Sequence, residues 1–156
     1  MSAARTNEAL GAIFNEIDTE QAIWTVPAER MKAGREHRVP LPPGAVAIVR
    51  EMAEVRRSEF VFPGFRDGRP LSNMAMLELL RDMRPGLTTH GFRSSFRDWA
   101  AEETATPSEV VEMALAHAIE NKVEAAYRRG DLFEKRRKLM VEWAAFCIPA
   151  ERLSKI

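Results

Sequence analysis

One predicted helix, HGFRSSFRDWAAEE at residues 90–103, has the clearest periodicity in the chain. Three aromatic side chains, Phe92, Phe96 and Trp99, recur at i, i+4 and i+7, which is the spacing of one helix face. This spacing predicts a buried aromatic stripe that packs the helix onto the rest of the domain. One imidazole and two guanidiniums fall together on the opposite side of the helix: His90, Arg93 and Arg97. The helix is therefore expected to present a cationic surface as well.

Upstream of this helix, the pattern predicts a short antiparallel hairpin flanked by helices. Residues 22–26 and 37–41 are extended runs, and the loop between them contains Gly34. Residues 60–62 predict a third short strand that ends at Pro63. The helices predicted in this part of the chain are 5–14, 44–57 and one that is capped by Ser72 and runs to residue 83.

Downstream, the pattern predicts three more helices. Thr106, Pro107 and Glu109 form a capping-box pattern with proline at the first helical position, and this helix is predicted to run to His117. Two helices follow, at 121–129 and 132–147, and the last has an apolar side made of Leu132, Phe133, Met140, Trp143 and Phe146. We therefore predict a mainly α fold with a small antiparallel β-sheet (α+β), in a single domain that spans residues 1–156.

The composition is that of a globular domain. Hydrophobic residues make up 46% of the 156 positions, which is enough to bury a sizeable core. The single cysteine, Cys147, excludes an internal disulfide and fits a reducing compartment. The N-terminus has no run of signal-peptide length, and no stretch approaches the roughly 18 apolar residues of a membrane span. We therefore expect a cytoplasmic protein without a membrane segment.

Charge is sorted into blocks, although the formal net charge is zero, with 23 basic and 23 acidic residues. Basic residues outnumber acidic ones in residues 30–38, 81–97 and 128–138, whereas residues 98–124 carry seven acids and one lysine. A neutral total, taken alone, argues against a nucleic-acid partner. A fold that gathers the basic blocks on one face would still bind a polyanion. The alternative is that each block is an ordinary solvated helix face.

The only tyrosine, Tyr127, follows His117 by ten residues and directly precedes Arg128 and Arg129. A phenol is a weak nucleophile at neutral pH, because its pKa of about 10 keeps it protonated. It becomes effective where neighbouring groups take its proton or bind the developing phenolate. We therefore consider Tyr127 a candidate nucleophile, the alternative being an ordinary amphipathic core residue.

Cleavage of a phosphodiester without a metal ion would use the residue types found here. Guanidiniums suit the nonbridging oxygens, a nucleophile attacks in line, and a general acid protonates the leaving alkoxide. A metal site is the competing explanation for the three histidines, His37, His90 and His117. They lack short ligand spacing and Cys147 is remote in sequence, so no metal site is predicted. His37, on the hairpin strand, is assigned a structural role.

Five motifs occur in the order and approximate spacing of the tyrosine recombinases. They are Arg5-x-x-Glu8, the hairpin loop MKAGREHRVPL at residues 31–41 with Lys32, His90-Gly91-Phe92-Arg93, Leu115-Ala116-His117 and Tyr127. Each motif alone is weak, whereas five in order with a lone tyrosine are specific. The chain resembles the catalytic domain of a phage-type integrase, of the kind carried by prophages and genomic islands, over essentially its whole length.

The resemblance implies site-specific DNA recombination through a covalent intermediate. Arg5 and Arg93 would clamp the scissile phosphate, and Tyr127 would attack it to form a 3′-phosphotyrosyl link. Lys32, at the hairpin tip, would be the general acid for the leaving 5′ oxygen. Because the link retains the bond energy of the phosphodiester, rejoining would need no ATP, metal or other cofactor.

The other residues implied by the resemblance assist this step. His90 and His117 would contact the phosphate and assist proton transfer, and Glu8 would support the site by hydrogen bonding. The implied partners are double-stranded DNA and further copies of the chain, assembled as a tetramer on DNA through the C-terminal helix.

Each of these residues also has an ordinary alternative. Arg5 and Glu8 could form an exposed ion pair, which contributes a few tenths of a kcal/mol. Lys32 could be a solvated loop cation, His90 could only cap its helix, and His117 could be a partly buried structural histidine.

The chain departs from the family pattern at its N-terminus. The segment Ser2-Ala3-Ala4 stands where the family usually has a Thr-Gly pair, and Arg5 lies almost at the start. We therefore expect that the N-terminal core-binding and arm domains are absent, that the Arg5 helix is weakly supported and that DNA affinity is low. The alternative functions are a truncated remnant, catalytically weak or inactive, that only binds DNA or self-associates, and a purely protein-binding helical domain.

Overall fold

The computed structural model describes residues 1–117 and 130–148. In this part of the chain, six α-helices accompany one three-stranded antiparallel sheet, which confirms the predicted α+β class. The helices are α1 (Thr6–Leu10), α2 (Pro43–Glu54), α3 (Ala75–Met83), α4 (Gly91–Glu103), α5 (Ser108–Ala114) and α6 (Phe133–Cys147). The strands are β1 (Ile17–Asp18), β2 (Ile23–Val26) and β3 (His37–Pro40). Within the described residues, none of the helices combines the length and the apolar character needed to cross a bilayer.

The predicted hairpin is present as the centre of the sheet. β2 and β3 pair in antiparallel register with Trp24 opposite Val39, and β1 pairs with the other edge of β2. The sequence did not predict β1, because two residues carry too little periodicity. Residues 60–62, predicted as the third strand, instead form an isolated bridge from Phe60 to Ile13.

The predicted boundaries of α1, α2, α3 and α5 are wrong, and α2 ends at Glu54 rather than at residue 57. α1 ends at Leu10, where Gly11 caps it, rather than at residue 14. Ser72 does not cap α3; its carbonyl accepts the N–H of Ala75 in a turn that precedes the helix. At α5, extended Pro107 is the N-cap, so the predicted Thr106 cap is not made, and the helix ends at Ala114, before His117.

The aromatic face of α4 begins one turn later than predicted. Phe96 is fully buried, but Phe92 is 55% exposed, and Arg93 beside it is 7% exposed. The first turn of α4 lies against backbone carbonyls. A guanidinium donates hydrogen bonds to them, whereas an aromatic ring in its place would leave them without a donor. Phe146 of α6 is likewise 61% exposed, although its ring stacks on Trp143.

In the described parts of the chain, most of the buried apolar side chains fall into two clusters. The first covers the sheet and α2: Ala12, Trp24, Val26, Met31, Val39, Leu41, Val46, Val49 and Val61. The second joins α4, α5 and α6: Phe96, Ala100, Val110, Val111, Ala114, Leu115, Leu139, Met140 and Trp143. Ala4 packs against the first cluster and Ala3 against the second, so the segment that leads into Arg5 contacts both.

Candidate active site

The C-terminal end of α5 is the framework of the site. The N–H of His117 donates to the carbonyl of Glu112 (3.0 Å), and the N–H of Ala116 donates to that of Met113 (3.1 Å). These two bonds form a Schellman motif, which requires a left-handed residue at its centre. Ala116 takes that conformation with φ of 52°. The resulting turn leaves the carbonyls of Leu115 and Ala116 available to side chains from other elements.

Arg93 is buried against this turn. Its Nη2 donates to the carbonyl of Leu115 at 2.7 Å and lies 3.3 Å from Nε2 of His117, and its Nη1 donates to the carbonyl of Ala3. Burial lowers the pKa of Arg93, and the nearby charge of Arg5 lowers it further. An arginine keeps its charge despite such shifts. The site therefore contains a fixed, largely desolvated cation.

Arg5 reaches the same turn from α1. Its Nη1 donates to Oε1 of Glu8 at 2.7 Å, its backbone N–H donates to Oε2 of Glu8 at 2.8 Å, and its Nη2 donates to the carbonyl of Ala116 at 3.3 Å. Glu8 is only 4% exposed, so this is not a surface ion pair. The expectation that Arg5 is weakly supported is wrong for this structure, because both its side chain and its backbone are held.

The two guanidiniums therefore converge on consecutive carbonyls, those of Leu115 and Ala116. Two like charges repel at such a site unless anions compensate them. Glu8 provides one buried carboxylate, and Glu112 raises the pKa of Arg93 from the other side. Among the described residues, no carboxylate binds either arginine bidentately, so both guanidiniums can still donate to the oxygens of a phosphate.

His117 lies between a donor and an acceptor. Its Nδ1 is 2.5 Å from Oε2 of Glu112, and its Nε2 faces Arg93. The other oxygen of Glu112 accepts the Nε–H of Arg97 at 2.7 Å. Burial would raise the pKa of Glu112, but the hydrogen bonds from His117 and Arg97 outweigh it and lower the pKa overall. Glu112 therefore acts as a charged acceptor.

Glu112 was not identified as a site residue from the sequence, and Arg97 was assigned only to the cationic side of α4. The sequence does contain a signal for Glu112. In a Schellman motif that ends at His117, the residue five positions earlier is brought next to it, and that residue is Glu112. That signal becomes visible only once the end of α5 is placed correctly.

The structure does not join His90 or Lys32 to this cluster. His90 is exposed at the start of α4. The neighbouring residue, Thr89, accepts a hydrogen bond of 3.2 Å from the hydroxyl of Thr6 in α1. Lys32 is exposed in the loop between β2 and β3, close to Gly34 with φ of 61°. Among residues 1–117 and 130–148, neither side chain finds a hydrogen-bond or ion-pair partner.

Tyr127 and the helix predicted at 121–129 lie outside the described residues, so the role of Tyr127 stays a prediction. Over the part of the chain that the structure covers, no three histidine, cysteine or carboxylate side chains gather as metal ligands. His37 is half-buried at the start of β3. Its pKa is lowered to about 4 by burial and by the charge of Arg136.

The fold is similar to that of a known recombinase. The crystal structure of XerA recombinase superimposes with a TM-score of 0.64 at 14% sequence identity, covering 95% of this chain and 54% of that one. At this identity the likeness concerns the fold alone.

Sequence comparison is more specific. The chain is 38% identical over 148 residues to the prophage integrase IntA of Escherichia coli K12, and 31% identical over 148 residues to the integrase of Shigella phage Sf6. Each alignment covers 92% of this chain but 36% and 38% of the respective relative, so the chain spans less than half of their length. The model of the phage integrase family matches residues 1–132. The chain therefore belongs to the phage integrase family.

Proposed function

We propose that this chain cuts and rejoins double-stranded DNA at a specific site, with Tyr127 as the nucleophile. The observation that carries the proposal is the convergence of Arg5, Arg93 and His117 on the turn at residues 115–117. Two permanent cations and an imidazole at one point match the charge distribution of a phosphodiester transition state. The names of the relatives, prophage integrases and a phage integrase, support the same activity.

The reaction consists of two phosphoryl transfers at the same phosphorus, first to Tyr127 and then back to a DNA 5′ hydroxyl. The phenol oxygen of Tyr127 attacks, its proton passes to a neighbouring base, and the bond from phosphorus to the 5′ oxygen breaks. The 3′ phosphate is then esterified to Tyr127, and Lys32 donates the proton that the leaving 5′ oxygen needs. The reverse transfer, with the 5′ hydroxyl of another strand as the attacking group, rejoins the DNA.

Each arginine has a distinct part in this reaction. Arg93 is rigid, because three backbone or side-chain acceptors hold its guanidinium. Arg5 is more exposed and is oriented by Glu8, which leaves it able to adjust to the incoming phosphate. Such preorganised donors contribute about 2.7–4 kcal/mol each to transition-state stabilisation in acyl-transfer sites.

The partners follow from the same chemistry. Lys32 and His90 are exposed and free to meet DNA when it enters the site. Assembly into a tetramer on DNA is proposed to use α6, whose Val141 and Phe146 are exposed apolar side chains. Because the substrate is DNA, we propose a cytoplasmic location.

A pool of nicked duplexes with randomised sequence around the nick tests the proposal without knowledge of the target. Loss of the short nicked strand after cleavage would trap the covalent complex. We expect the wild-type chain to form a denaturant-resistant protein–DNA adduct and Tyr127→Phe to form none. Salt-sensitive binding without any wild-type adduct would overturn the proposal in favour of a DNA-binding remnant. An adduct that persists in Tyr127→Phe would remove Tyr127 from its role.

A further inference from the structure

We infer that Glu112 is a positioning residue that fixes the tautomer of His117, with the proton on Nδ1 and the lone pair on Nε2 facing Arg93. For catalysis, the inference rests on the proposed function. The hydrogen bonding itself is a property of the free chain and can be tested separately.

The hydrogen-bond partners of His117 leave one neutral form. A carboxylate oxygen of Glu112 lies 2.5 Å from Nδ1, and a charged carboxylate can only accept. The Nη2 group of Arg93 lies 3.3 Å from Nε2, and a guanidinium can only donate. Nδ1 must therefore carry the proton, and Nε2 must be the acceptor.

Glu112 is itself held in place. Arg97, one turn along α4 from Arg93, donates to the second carboxylate oxygen at 2.7 Å. The backbone carbonyl of Glu112 accepts the N–H of His117 at 3.0 Å, so main chain and side chain tie the same two residues together. The hydrogen bonds that lower the pKa of Glu112 keep it in the anionic form that the pairing requires.

The consequence is a neutral histidine whose basic nitrogen, Nε2, faces the site. Proton uptake at Nε2 requires the Nη2–H of Arg93 to turn away from it. When His117 takes up this proton, the carboxylate of Glu112 stabilises the imidazolium that forms, as buried carboxylates do behind other catalytic imidazoles. Arg97 contributes only through Glu112, since its contact is with the carboxylate and not with the imidazole.

The first experiment measures the tautomer in the chain without DNA. Nitrogen NMR of ¹⁵N-histidine-labelled protein, assigned with His117→Gln, should show His117 protonated at Nδ1 alone in the neutral form. Glu112→Gln replaces one of the two carboxylate oxygens by an amide NH2, which can only donate, so either His117 or Arg97 loses its acceptor. We expect this variant, and Glu112→Ala, to show a mixture of the two neutral forms, because the 2.5 Å contact with Nδ1 is lost and only the longer 3.3 Å contact from Arg93 still favours protonation at Nδ1. Glu109→Gln, on the exposed side of the same helix, should leave the spectrum unchanged.

The second experiment measures the rate of adduct formation on the nicked duplex. We expect Glu112→Gln to slow it about 10- to 100-fold, which is the effect known for partners that orient metal-binding histidines. In a His117→Ala background, Glu112→Gln should cause no further loss, because residues that act as a unit are not additive. Glu109→Gln should react at the wild-type rate.

The outcomes separate the two claims. An unchanged His117 tautomer in both Glu112 variants would overturn the inference, whatever the chain does to DNA. The inference would also be overturned if Glu112→Gln slowed adduct formation by the same factor in the wild-type chain and in His117→Ala. Glu112 would then act independently of His117. Absence of any wild-type adduct would contradict the proposed function and leave the decision on Glu112 to the tautomer measurement.

Discussion

Arg93 is the residue on which most of the described site depends. Its guanidinium joins α4 to the segment before α1 and to the turn after α5, through the carbonyls of Ala3 and Leu115. Because these acceptors are backbone groups, the fold itself positions the charge. A planar fork of donors satisfies several acceptors at once, which an ammonium cannot do in the same geometry.

We predict that Arg93→Lys lowers both stability and DNA cleavage. The ammonium cannot reach all of the acceptors, and an unpaired buried carbonyl costs about 1–3 kcal/mol. Urea denaturation followed by circular dichroism measures the loss, and the adduct assay measures activity. Arg81→Lys, exposed on α3, is the control and should change stability by less than about 0.5 kcal/mol. Full stability and full activity in Arg93→Lys would contradict the account of this residue.

His37 makes a separate prediction, on the pH dependence of folding. Burial, followed by the charge of Arg136, lowers its pKa from 6.5 to about 4 in the folded chain. The unfolded chain therefore takes up a proton below pH 6.5 that the folded chain refuses. Stability from this group is complete above pH 6.5 and falls as the pH drops towards 4, by up to about 3 kcal/mol.

His37→Gln should remove that part of the pH dependence. Between pH 7.5 and 4, the free energy of unfolding should fall less steeply in the variant than in the wild type. The other titratable groups contribute equally to both proteins, so the difference reports His37 alone. Parallel curves for the two proteins would show that the imidazole titrates normally in the folded state.

At the scale of elements, the end of α5 is the decisive feature. Its Schellman turn sets the position of His117 and presents the carbonyls that bind both arginines. The central residue is Ala116, with φ of 52°, where glycine is the usual occupant. A left-handed alanine costs roughly 1–2 kcal/mol, a strain that the surrounding hydrogen bonds offset.

We predict that Ala116→Gly stabilises the chain by about 0.5–1 kcal/mol, because relief of the left-handed strain exceeds the added entropy of the unfolded glycine. Thermal unfolding followed by circular dichroism measures the change. Ala114→Gly, at the buried last residue of α5, is the matched control and should destabilise by about 1 kcal/mol, because Ala114 has an ordinary helical conformation and glycine adds entropy to the unfolded chain. Destabilisation by both substitutions would mean that Ala116 is not strained.

The elements also show how far the sequence could predict this structure. The hairpin and most of the helices were predicted, because period, proline and glycine mark them locally. The burial of Phe92 and the cap at Thr106 were predicted wrongly, because both depend on what α4 and α5 pack against. Arg5, Arg93 and His117 were found through motifs. Glu112 was missed, since its role arises only when the turn brings it back onto His117.

At the scale of the whole molecule, Arg136 connects the two halves of the fold. It is 1% exposed and lies in α6, and its Nη1 donates to the carbonyl of Arg38 in β3 at 2.6 Å. Its other groups donate to the carbonyl and to the carboxylate of Asp131, at 2.7 and 2.8 Å. One side chain therefore ties the hairpin that carries Lys32 to the start of the last helix.

We predict that Arg136→Met destabilises the chain by about 2–3 kcal/mol, because it leaves the Arg38 carbonyl and Asp131 without their donor. Lys138→Met, at an exposed position of the same helix, is the control and should change stability by less than about 0.5 kcal/mol. Denaturant unfolding compares the two. Equal losses would mean that Arg136 contributes only packing.

The central claim is that this site exists to support a covalent bond between Tyr127 and DNA. It is tested most directly by isolating the adduct formed on the nicked duplexes, digesting the DNA and the protein, and sequencing the modified peptide by mass spectrometry. We predict that the nucleotide remnant lies on Tyr127, in the tryptic peptide Val123–Arg128. A remnant on any other residue, or no modified peptide from the wild-type chain, would contradict the account.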